Sequence, residues 1–162
     1  MSKSVVFAQT GKVEHMADSS TQSITIQAAP SRIVDVIVDF DRYPEWIKDM
    51  VSTSVLEQYE DGYAHLVEFE IDASVFKDKY RLRYEYADDL SRIDWTLEEA
   101  STVQRSQIGS YELSDNDDGS STVTYTLAVE LSMPMLGMFK RKAERMIMDS
   151  ALKELKHRVE AS

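Results

Sequence analysis

The sequence contains no cysteine, and only five glycines, three prolines and three histidines among 162 residues. Without cysteine there is no disulfide framework, no thiolate metal site and no cysteine nucleophile. The glycines, at positions 11, 62, 109, 119 and 137, form neither a dinucleotide fingerprint nor a phosphate-cradling loop. His15, His65 and His157 are too dispersed for a His-Glu-x-x-His helix, so neither a metal nor a cofactor is expected. No run of 18 apolar residues occurs and no charged-then-apolar leader opens the chain. The expectation is a soluble, cytoplasmic protein without stable membrane insertion.

Positive charge is scarce as well, and the formal net charge is -11. Such a surface repels phosphate backbones and anionic headgroups, so nucleic acid is not an expected partner and a small or apolar one is. The imbalance is uneven. Residues 137–160 carry seven Lys or Arg against four Asp or Glu, a net +3, and the remainder carries eleven against 25, a net -14.

What is present suffices for one domain: 43% of residues are hydrophobic and 29% charged. Residues 1–20 are small and polar around a lone Val5-Val6-Phe7 cluster and read as a flexible tail, which leaves 21–160 as the folded unit. From Gln22, polar and apolar residues alternate, so Ile24 and Ile26 mark a strand with one buried face. Pro30 suits the first turn of a short helix through Phe40, and a second follows near Tyr43–Ile47. Six further strand-like runs are then separated by turn residues: 52–59, 63–72, 75–87, 92–98, 103–114 and 121–131. The clearest turn is Glu60-Asp61-Gly62. Near residue 135 the period changes. Leu136, Phe139, Ala143, Met146, Ile147, Ala151, Leu155 and Val159 recur at three- and four-residue steps, the signature of a long amphipathic helix.

Alternation places Val67, Phe69, Tyr80, Leu82, Tyr84 and Tyr86 on one side of the sheet. Ile93, Trp95, Leu97, Tyr111, Leu113 and Tyr125 join them there, whereas Glu68, Arg81, Arg83, Glu85 and Asp94 take the other side. The long helix is the one element able to cover the apolar side, so the expected class is α+β: a seven-stranded curved antiparallel sheet gripping a C-terminal helix. A helix about 10–12 Å across leaves space inside a wide curved sheet. The expected lining of that space is Phe69, Tyr80, Leu82, Tyr84, Tyr86, Trp95, Tyr111 and Tyr125 from the sheet. Phe139, Ala143, Met146 and Ile147 complete it from the helix. Tyrosine combines an apolar body with a polar tip, which suits an apolar ligand carrying a few oxygen atoms; the same rings could equally fill a core.

Two inward-parity residues could do chemistry. His65 falls in line with Val67 and Phe69, and Arg105 with Gln107, Gly109 and Tyr111. If buried, Arg105 would bind an enolate, carboxylate or carbonyl oxygen, and His65 would move protons. Both lie near strand ends, and a bulge at Gly109 would turn Arg105 outward, so exposure decides their role. Tyr43 and Trp46, joining the two short helices, read either as a hinge plug or as a gate.

The segments Asp39-x-Asp41-x-Tyr43-Pro44-x-Trp46, Gly109-x-Tyr111-x-Leu113 and Asp118-Gly119 before Val123-x-Tyr125, followed by the terminal helix, resemble the START-like superfamily. Within it the resemblance is to the polyketide cyclase/dehydrase and coenzyme Q-binding group, and it spans Ser20 to Val159. It implies a helix-grip fold with a deep cavity for a lipid, polyketide, isoprenoid quinone or similar molecule. Some relatives are aromatase/cyclases and others are binders or carriers, and no motif here transfers a catalytic residue. The reading is therefore a binder or carrier of a hydrophobic small molecule. A polyketide cyclase, aromatase or dehydratase is the alternative, and a protein–protein module such as a homodimer the third class.

Overall fold

The computed structural model describes residues 19–73, 77–133 and 137–161, with the side chains of 137–139 outside the description. Residues 1–18 of the expected tail, and Leu136 of the expected helix stripe, also lie outside it. The chain forms β1 (Ser20–Ile26), α1 (Pro30–Val38), a 3₁₀ turn (Phe40–Arg42), α2 (Tyr43–Trp46), β2 (Met50–Gln58), β3 (Ala64–Asp72) and β4 (Lys77–Tyr86). β5 (Arg92–Leu97), β6 (Gln104–Asp115), β7 (Ser121–Leu131) and α3 (Gly137–Glu160) complete it. The strands make one antiparallel sheet in the order β1-β7-β6-β5-β4-β3-β2, a meander from β2 to β7 whose last strand pairs with β1. Among the described residues no helix is long and apolar enough to cross a membrane.

Alternation dictates the layers. In β7, Ser121, Val123, Tyr125, Leu127 and Val129 are buried and the residues between them are not, so one side of the sheet is core. That core is closed by Ile33, Val34 and Ile37 of α1 and by Met148, Leu152, Leu155 and Val159 of α3. The opposite side is charged. Glu68 stands directly across from Arg81, with Nε 3.0 Å from Oε2, and Arg83 donates to both oxygens of Glu98. This is the helix-grip arrangement.

Two local features shape the sheet. Gly62, at φ 93°, takes the left-handed position of the β2–β3 turn, where its N–H donates to the Tyr59 carbonyl at 2.9 Å. β2 itself is irregular, with register shifts against β3 at Met50/Ser52, Val55/Glu57 and Glu57/Gln58. A further shift lies in β6 between Gln104 and Ser106, so the bulge falls at Arg105 and not at Gly109.

α3 departs from the expected stripe. Met146 and Ile147 are 64% and 47% exposed, and Glu144, Met148 and Leu152 are buried in their stead, whereas Leu155 and Val159 are buried as expected. The physical reason is Glu144, whose side chain is 1% exposed. Its carboxylate accepts from Ser20 Oγ at 2.9 Å and from the Val129 amide at 2.8 Å, which fixes this face of the helix against β1 and β7. Further along, Gln22 donates to Asp149 at 3.0 Å and Lys156 to the Thr25 carbonyl at 2.7 Å.

Candidate functional site

Phe69, Leu82, Tyr84, Tyr86, Trp95 and Tyr125 come together in the buried core, and Tyr80 and Tyr111 pack against them half-buried. Their rings make a continuous aromatic surface. Tyr84 lies 4.8 Å from Phe40 and 5.9 Å from Trp95, Trp95 lies 5.5 Å from Tyr125, and Tyr125 lies 4.9 Å from Tyr111. Offset and edge-on geometries of this kind add to what area burial alone contributes. From α3, Ala143 is half-buried, Met146 and Ile147 are exposed, and the Phe139 side chain lies outside the described residues.

The polar tips of these rings divide into two sets. Tyr86 donates to the Ala64 carbonyl at 2.7 Å, and Tyr43 to the Ile37 carbonyl at 2.5 Å. Among the described residues, the hydroxyls of Tyr80, Tyr84, Tyr111 and Tyr125 meet no hydrogen-bond partner. Burial first, and neighbouring phenols after it, push Tyr84 and Tyr125 well above the ordinary phenol value. Burial likewise raises Tyr80, with a contribution from the Asp78 charge, and Tyr111, with one from Glu154. Tyr43 and Tyr111 feel each other and both Tyr84 and Tyr125, so these hydroxyls lie near one another in the buried region.

The two residues singled out for chemistry stand elsewhere. Arg105 is exposed because the bulge at its own position turns it outward and gives the inward place to Gln104, which is 7% exposed. His65 belongs to the charged side of the sheet. Its Nε2 lies 3.2 Å from Arg83 Nη1, its Nδ1 lies 3.6 Å from Glu57, and its ring stacks on Tyr59 at 4.2 Å. Tyr43 is buried, its ring 5.2 Å from half-buried Trp46. Trp46 also borders a separate surface pocket of about 200 Å³ among Arg32, Asp35, Asp39, Arg42 and Arg158.

Sequence reasoning missed a polar relay on the inner face, part-buried where Gln107 meets Trp95 and Gln104 and at Ser101, and buried where Gln104 meets Asp78. Trp95 Nε1 donates to Gln107 Oε1 at 2.8 Å, and Gln107 Nε2 donates to Gln104 Oε1 at 2.5 Å. Gln104 Nε2 in turn donates to Asp78 Oδ2 at 3.0 Å, and Ser101 Oγ donates to the same oxygen at 2.7 Å. Asp78 is 4% exposed and shares its side of β4 with Tyr80, Leu82, Tyr84 and Tyr86. Its position two residues before Tyr80 was the available signal.

Three comparisons bear on this arrangement. A search of curated proteins finds no match to the sequence. Among solved structures, a START superfamily protein from Mycobacterium smegmatis superposes with a TM-score of 0.82 at 19% identity, covering 88% of this chain and 97% of that one. The Zhui aromatase/cyclase from Streptomyces sp. R1128 superposes at 0.74 with 13% identity, covering 88% and 93%. The di-domain ARO/CYC BexL of the BE-7585A biosynthetic pathway superposes at 0.71 with 15% identity, covering 88% of this chain and 46% of that one. At such identities these likenesses speak for the shared fold. The sequence itself matches the family described as polyketide cyclase / dehydrase and lipid transport over residues 17–160, nearly its whole length, and the chain belongs to that family.

Proposed function

We propose that the protein binds or carries a hydrophobic small molecule, of lipid, polyketide or isoprenoid type, in the space between the sheet and α3. The observation that carries this reading is the set of four inward phenols, Tyr80, Tyr84, Tyr111 and Tyr125, without hydrogen-bond partners among the described residues. These hydroxyls are not among the fully buried unpaired atoms, so they keep accessible surface on the inner side, where a ligand oxygen could meet them. Aromatic walls supply affinity at roughly 25 cal/mol per Å² of apolar ligand surface removed from water, and the phenols orient its oxygen atoms. A cyclase or dehydratase would need titratable groups converging on substrate; neither Arg105 nor His65 faces this space, which leaves the phenols and Asp78 as the titratable groups on this side. With the two residues singled out for chemistry turned away from it, binding or carriage is the reading we favour.

Native mass spectrometry of protein purified from its own host tests it. A retained apolar compound, released on denaturation, is the expected result. Recovery of ligand-free protein that also takes up neither fatty acids nor polycyclic aromatic probes would overturn the proposal.

A further inference from the structure

The inner-face relay has a direction, and the direction leaves something over. An indole N–H can only donate, so Trp95 fixes Gln107 with its carbonyl toward the ring and its amide nitrogen toward Gln104. Gln104 is fixed the same way, with its own amide nitrogen toward Asp78. The group at the end of this chain must accept, and Asp78 Oδ2 accepts twice, from Gln104 and from Ser101. Its second oxygen, Oδ1, is buried with no hydrogen-bond partner among the described residues. Two side chains, one of them oriented by Gln107 and Trp95 behind it, thus hold one carboxylate and satisfy only half of it. A buried acceptor of this kind is more costly to leave bare than a neutral one, because its charge has already lost its water.

Resting on the cavity reading above, we infer that Asp78 Oδ1 receives a hydroxyl group of the bound apolar ligand, so that the protein selects alcohols or phenols over their ethers and parent hydrocarbons. A hydroxyl suits the place on two counts. It donates to Oδ1, and its oxygen accepts in return from a phenol; Tyr80, next on the same side of β4, has a hydroxyl with no other partner among the described residues. The carboxylate is thereby a selectivity element, and the ring surface from Tyr84 to Tyr125 supplies the bulk of the affinity.

Equilibrium dialysis with 2-naphthol and 2-methoxynaphthalene, which differ in the donor and by one methyl group, decides the matter. The unmodified protein is expected to hold the naphthol about tenfold more tightly or better, the effect of one hydrogen bond to a charged group. In Asp78→Asn, Ser101 and Gln104 hold the amide carbonyl in the place of Oδ2 and aim the NH₂ where Oδ1 stood. The preference should then vanish or reverse, with ether binding within about threefold of the unmodified protein, which also certifies the folded site. Equal binding of the two probes to the unmodified protein overturns this inference and leaves the cavity reading standing, whether or not the variant folds. Failure of both probes to bind overturns the two together.

Discussion

Gly109 sits across from Trp95 in the β5–β6 pairing, and a β-carbon there would stand 2.3 Å from Cε2 and Cζ2 of the indole. The contact is with the body of a large ring packed among tyrosines, so it cannot be relieved by swinging a flexible tip. Gly109→Ala is expected to cost at least about 1–3 kcal/mol in denaturant unfolding and to shift the tryptophan emission, since the displaced indole releases Gln107. An unchanged midpoint and spectrum would contradict that packing. A glycine within a strand signals either a bulge or a close approach, and the sequence does not say which. The answer depended on Trp95 lying opposite, which is a matter of register. Asp78 was hidden for a related reason. Its parity with Tyr80 was visible, but the partners that make its burial tolerable, Ser101 and Gln104, lie 23 and 26 residues away. One of them faces inward only because of the bulge at Arg105.

At the scale of elements, β-structure was the more legible. Strands with one wet and one dry face announce themselves by alternation, and the runs at 92–98 and 121–131 correspond closely to β5 (Arg92–Leu97) and β7 (Ser121–Leu131). The long helix is legible too, and its buried side is the expected one at Leu155 and Val159 but not at Met146 and Ile147. Apolar Met146 and Ile147 fit the spacing, and the face that turns inward carries a glutamate in their stead. Periodicity weighs residues one at a time and gives a carboxylate to water, whereas Glu144 is held by two donors from two other elements. Glu144→Ala should therefore destabilise the protein by about 3–5 kcal/mol, the usual scale for breaking a buried charged network. Glu144→Gln should cost markedly less. Its carbonyl can serve the Val129 amide while the Ser20 hydroxyl turns to accept from its nitrogen. Hydrogen exchange should show the loss in the first half of α3 and in β1 in particular; uniform loosening of the whole sheet would refute this role.

For the molecule as a whole, the gathered phenols set an upper pH limit. Tyr43, Tyr80, Tyr84, Tyr111 and Tyr125 are all raised above the ordinary value near 10, chiefly by burial. Below about pH 10 they are neutral in both folded and unfolded chains and stability does not depend on them. Above it the unfolded chain releases protons that the folded one retains, so stability falls as pH climbs from the ordinary phenol value toward the raised ones. Absorbance at 295 nm should rise in a step that coincides with loss of structure; gradual ionisation of all eight tyrosines in a protein still folded would contradict the burial. The sheet also has consequences at its rims. An open antiparallel sheet offers backbone N–H and C=O groups at both edges, the template on which proteins stick together. At one rim, α3 reaches over, with Lys156 on the Thr25 carbonyl and Glu160 on the Gln27 amide. At the other, the shifts in β2 throw those groups out of line, so an intruding strand finds no straight ladder to extend and aggregation has no ready seam.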